Sequence, residues 1–178
     1  MLSDRYKSLF GVHKLTAGLF KINIYSLRDN IFEKTFCKYE GYINNAVLLD
    51  KREIMILLTF NIDSKVTTID IWNIHDGSVP IYSYNLTQLM DYSFTVKTLS
   101  IAYIPDKYYG RTSTHGIVDG DIIILGTTKG DIILGKIQTM VHNNKIGFDL
   151  LYIYNLKNAV NTGNMLSNDF EISYIDYD

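Results

Sequence analysis

A chain of 178 residues with 47% hydrophobic and 20% charged residues is long enough for one domain with a sizeable core and too apolar for intrinsic disorder. Its formal net charge of −2 and pI of about 6.1 leave no basic excess that would mark nucleic acid or an anionic membrane as a partner. Cys37 is the single cysteine, which excludes an intrachain disulfide and a cysteine-based zinc cluster.

Cys37 therefore reads as a buried small hydrophobe in a reducing compartment, and an intracellular location, cytoplasmic or nuclear, is expected. The opening Met1-Leu2-Ser3-Asp4-Arg5-Tyr6-Lys7 carries charge with no apolar core behind it, so no secretory signal is expected. No apolar run approaches the ~18 residues of a membrane-crossing helix, and Asn85-Leu86-Thr87 then reads as a chance match to a glycosylation sequon.

Aromatic residues make up 13% and are dominated by 14 Tyr, while Pro occurs only twice. With abundant Ile, Val and Thr, that composition favours strands and predicts an all-β chain. Residues 1–14 show no clear period, and the sequence assigns this N-terminal segment no structure. From Leu15 the pattern becomes short strands separated by turns: Leu19 to Leu27, a turn at Arg28-Asp29-Asn30, Ile31 to Lys38, a turn at Tyr39-Glu40-Gly41, and Ile43 to Leu49 closed by Asp50-Lys51-Arg52. Glu53 to Asn61 and Thr67 to Ile74 read as a hairpin joined through Ile62-Asp63-Ser64-Lys65. A second unit repeats that order with other loop lengths, as Pro80 to Leu86, Val96 to Ile104, Asp121 to Leu125 and Asp131 to Ile137, the last two joined by Gly126-Thr127-Thr128-Lys129-Gly130.

Internal repetition organises these strands. Ile69-Asp70-Ile71-Trp72-Asn73-Ile74-His75-Asp76-Gly77 matches Ile22-Asn23-Ile24-Tyr25-Ser26-Leu27-Arg28-Asp29-Asn30 at an offset of 47, and Ile132, Leu134, Gly135 and Ile137 continue the pattern at a further 63. Ile81 to Leu86 recurs as Leu151 to Leu156, and Leu99 to Ile104 as Phe170 to Ile175. Ile54-Met55-Ile56-Leu57-Leu58 and Ile122-Ile123-Ile124-Leu125 are apolar at both parities, so both faces of those strands must be covered. Small antiparallel sheets stacked face to face meet that requirement.

These residues resemble a WD-repeat β-propeller, whose unit carries Gly-His near its start and Trp-Asp near its end. Gly41-Tyr42 stands where Gly-His would and Trp72-Asn73 where Trp-Asp would, with Tyr25-Ser26 and Gly135-Lys136 in the matching place of the flanking units. Gly126 to Ile132 looks like the family's hairpin between second and third strands, with Lys129 where Asp is usual. The resemblance implies a partial β-propeller of about three four-stranded antiparallel blades over residues 15–178, an incomplete ring. It further implies a non-enzymatic scaffold for protein partners, one of which could be a chain completing the propeller.

Two alternatives stay open: an accessory propeller subunit of an RNA- or protein-modifying complex, and a truncated fragment with no independent function. No cofactor, metal site or small-molecule substrate is expected. Gly130 to Ile137 fits a P-loop up to its last position, but its interior is an apolar β run and Ile137 replaces the hydroxyl residue, so it reads as a strand. Asp119-Gly120-Asp121 lacks the later ligands of a calcium loop. His13, His75, His115 and His142 share no metal-ligand spacing, and His75 beside Asp76 reads as turn polarity. The interaction loop expected on the scaffold is the insertion from Pro105 to His115. There Lys107, Tyr108, Tyr109, Arg111 and His115 supply the residue types that dominate interface hot spots. The same mixture could stack on single-stranded RNA, a weaker reading for one loop.

Overall fold

The structure is a computed structural model that describes residues 2–3, 7–16, 18–28, 31–49, 52–89, 98–104, 121–127, 130–140 and 145–155. Residues 1–95 form one compact unit and residues 96–178 a second.

The first unit holds two four-stranded sheets. The first contains β1 (Leu2–Ser3), β2 (Ser8–Thr16), β3 (Leu19–Ser26) and β4 (Ile31–Glu40); the second contains β5 (Tyr42–Leu49), β6 (Ile54–Asn61), β7 (Val66–Asn73) and β8 (Tyr82–Asn85). In both sheets spatial order follows chain order and every neighbour is antiparallel. The second unit contains one sheet of the same kind, built from β9 (Thr98–Ile104), β10 (Asp121–Thr127), β11 (Asp131–Met140) and β12 (Lys145–Asn155). Ile22 and Ile69 fall on the third strands of their sheets, so the 47-residue offset is a blade-to-blade register.

Packing explains the apolar runs. Met55 and Leu57 on β6, with Trp72 on β7 and Ile74 just beyond it, meet Phe10, Ile22, Ile24 and Phe36 of the first sheet in one buried cluster. The opposite parity of the same strands, Ile54, Ile56, Leu58, Ile69 and Ile71, is equally inaccessible. Each such side chain contributes roughly 1.5–3 kcal/mol on burial, so both faces of β6 and β7 stabilise the first unit. In the second unit Ile122, Ile123 and Leu125 are buried as their sequence requires.

Phe36 keys the seam. Its ring meets Phe10 and Trp72 edge-on, each at a centroid distance of 6.1 Å. Gly77, in the turn after β7, lies directly on the Phe36 carbonyl, where a Cβ would overlap the oxygen.

Several strands depart from the sequence expectation. The segment 1–14 contains most of β2, whose alternation is blurred by Gly11 and Lys14 but whose register is fixed by pairing with β3 across the turn at Gly18 (φ +79°). Pro80 to Leu86 does not open the second repeat: β8 closes the second sheet, with Thr68 opposite Asn85 and Ile71 opposite Tyr82. The turn after β7 returns the chain to the edge of that strand, and Ile81 N–H donates to Ile71 O at 2.8 Å. β11 runs three residues past Ile137, and β12 starts at Lys145, because the two strands pair over their full length.

Candidate functional site

The expected interaction loop with Lys107, Tyr108, Tyr109, Arg111 and His115 lies outside the described residues, as do Asp119, His142, the side chain of Cys37 and the recurrence at Phe170 to Ile175. The P-loop-like stretch is a turn glycine, Gly130 (φ +79°), followed by β11, which is strand from Asp131 onward. His75 Nε2 lies 3.4 Å from Glu53 Oε2 on the surface, and its backbone N–H donates to Asn73 Oδ1 at 2.8 Å, which is turn polarity. Asn85 of the sequon turns inward on its own chain, with Oδ1 accepting Thr87 N–H at 2.9 Å. Among the described residues no group of three or more His, Cys, Asp or Glu could hold a metal ion.

The most concentrated buried polar group is one the sequence reading passed over. Asp70 on β7 is 4% exposed and points into the seam between the first two sheets, on the same parity as Trp72. Ser83 Oγ on β8 donates to its Oδ1 at 2.6 Å; Thr59 Oγ1 on β6 and Thr68 Oγ1 on β7 lie 3.1 and 3.3 Å from its Oδ2. The two threonine hydroxyls are 2.6 Å apart, and Tyr39 OH on β4 donates to Thr59 Oγ1 at 2.9 Å, carrying the network across to the first sheet.

Burial raises the Asp70 carboxyl above its ordinary value, against the opposing pull of its Ser83, Thr59 and Thr68 partners. Burial also raises the Tyr39 phenol; the bond to Thr59 opposes that shift and the charge of Asp70 adds to it. At 4% exposure and with hydroxyl partners on both oxygens, the carboxyl offers no open face to a substrate. The group's evident work is to join sheets.

A second polar row lies on the face of the first sheet turned away from the seam. His13 Nε2 is 2.8 Å from Tyr25 OH, Asn23 Nδ2 donates to Tyr25 OH at 3.1 Å, and Thr35 Oγ1 donates to Asn23 Oδ1 at 3.2 Å. A shallow groove of about 360 Å³ opens at the turn end of this unit between Gly18, Leu19, Glu40, Gly41, Asn61, Ile62 and Asp63. On β12, Tyr152 and Tyr154 stack at 6.4 Å and are 57% and 40% exposed.

The repeat positions take defined places in the sheets. Gly41, at the Gly-His place, has φ +129° and sits against Phe60 O, while Tyr42 turns its ring to Phe20 at 5.6 Å. Trp72 is buried, yet its Nε1 has no hydrogen-bond partner among the described residues. The equivalent Gly135 has its missing side chain replaced by the ring of Phe148, which occupies the space a Cβ would need.

Structural comparison agrees. KlHsv2 carrying a Gly-Ser linker in place of its loop 6CD superposes with a TM-score of 0.53 at 8% identity, over 88% of this chain and 44% of that one. The fold is a partial β-propeller. The WD40 domain of SCAP from fission yeast gives the same TM-score at 13% identity, over 87% of this chain and 30% of that one. This propeller segment thus spans less than half the length of either chain. No protein-family model matches the sequence, and no curated protein matches it. No helix among the described residues is long and apolar enough to cross a membrane.

Proposed function

We propose that this propeller segment is a non-enzymatic scaffold that docks protein partners within a larger assembly. The observation that carries the reading is the stacked, exposed pair Tyr152 and Tyr154 on β12. Tyrosine supplies contact area at little entropic cost, and rigid presentation reduces the ordering penalty of binding. The insertion with Lys107, Tyr108, Tyr109, Arg111 and His115 is the second contact surface in this proposal. Leu9, Val12 and Leu15, each about 40% exposed on β2, add apolar surface to the first sheet.

Size-exclusion chromatography with light scattering on the isolated chain, with a hydrophobic dye in parallel, tests the exposed-surface premise. Oligomers or strong dye binding, weakened by Tyr152→Ser with Tyr154→Ser, are expected. A compact monomer that ignores the dye overturns the reading. Co-purification with a catalytic subunit, lost in the same variants, would favour the accessory-subunit alternative.

A further inference from the structure

The oxygen atoms around Asp70 make five contacts of hydrogen-bond length: Tyr39 to Thr59, Thr59 to Thr68, Thr59 to Asp70, Thr68 to Asp70 and Ser83 to Asp70. Each needs one proton between its two oxygens. The four hydroxyls bring one proton each, and an ionised carboxylate brings none, so one contact would place lone pairs face to face. Were the unprotonated contact Thr59 to Thr68, two oxygens at 2.6 Å would repel; were it Thr59 to Asp70 or Thr68 to Asp70, a carboxylate oxygen would face a lone pair at 3.1 or 3.3 Å, the last being the mildest of the three conflicts. A proton on Asp70 Oδ2 donated to Thr59 supplies the fifth. Thr59 then accepts from Tyr39 and Asp70 and donates to Thr68, and Thr68 and Ser83 donate to the acid.

We propose that Asp70 is held as the neutral acid and serves as a pH-sensitive latch on the seam between the first two sheets, closed while protonated and loosened when the proton leaves. The side chains that meet it are Thr59 from β6, Thr68 from its own strand, Ser83 from β8 and, through Thr59, Tyr39 from β4; among these only Tyr39 titrates, and its phenol stays neutral beyond the range in which a carboxyl ionises. Loss of the proton leaves the contacts of Thr59 one proton short, and Thr59 is the atom that Tyr39 grips from the first sheet. The raised carboxyl acts in the same direction.

The sign follows from linkage. A carboxyl whose folded value lies above its unfolded value of 3.8 contributes stability that is full below 3.8 and is lost as pH rises through the folded value. The latch does not depend on the scaffold reading.

Trp72, the single tryptophan, lies two residues from Asp70 on the same face and reports the seam by its fluorescence. The test is a pH titration of the full chain by tryptophan emission, urea midpoint and the infrared carbonyl band of a protonated carboxyl. The wild type is expected to show one transition above the ordinary aspartate range, with the acid band persisting to the same pH, and Asp70→Asn should lose both. Ser83→Ala removes an exposed partner that stabilises the ionised form, so it should move the transition to higher pH and shift the band. If Asp70→Asn does not fold, the wild-type band and its response to Ser83→Ala decide alone. Absence of the band once surface carboxyls have ionised, a transition that survives in Asp70→Asn, or no response to Ser83→Ala overturns the proposal.

Discussion

Phe36→Ala is the most direct probe of how the first unit is held together. Its ring is 6% exposed and lies between Phe10 of its own sheet and Trp72 of the next, both edge-on at 6.1 Å. Truncating a buried Phe costs about 3–5 kcal/mol, within which each lost aromatic pair accounts for about 0.5–1.5 kcal/mol. Collapse into the space is restricted, because Gly77 already rests on the Phe36 backbone and β6 behind the ring is fully packed. The cost should therefore fall in the upper half of that range, about 4 kcal/mol, a large share of the ~5–15 kcal/mol that stabilises a typical domain. Urea unfolding followed by Trp72 emission isolates this unit, since the second unit contains no tryptophan. A loss below about 1 kcal/mol with an unchanged denaturant slope would refute the view that the aromatic triad carries the seam.

Gly77→Ala should wedge the two sheets apart, because its Cβ meets backbone rather than a movable side chain; a loss of roughly 1–3 kcal/mol in urea melts is expected. Gly135→Ala collides with the Phe148 ring, and a double-mutant cycle with Phe148→Leu should show marked non-additivity, the second change relieving the first. Tyr39→Phe removes the hydroxyl bridge from the first sheet to Thr59 and should lower the urea midpoint by the equivalent of about 1 kcal/mol while leaving the acid band of Asp70 in place.

The sheets were legible because their signals are local and repeated. Ile-x-Ile followed by an aromatic at 22–25 and 69–72 marks two third strands, and apolar runs at both parities at 54–58 and 122–125 mark strands covered on both sides. β2 was not legible, because Gly11 and Lys14 break its alternation and only long-range pairing with β3 fixes it. Nor was β8, whose four residues form a strand only once the turn after β7 returns them to its edge.

The Asp70 network shows a different limit. Its parity was visible in principle: Thr68, Asp70 and Trp72 alternate on one strand, and a tryptophan that faces a core places the carboxylate two residues earlier at the same interface. What parity could not supply was the set of partners. Tyr39, Thr59 and Ser83 come from three other strands and two sheets, and their convergence depends on register across the seam. A charged residue inside a strand that otherwise reads as core is thus a signal worth following even without a motif. In this chain it leads to the interface between the first two sheets, where Trp72 Nε1 has no hydrogen-bond partner among the described residues and hydroxyls around one acid link the sheets.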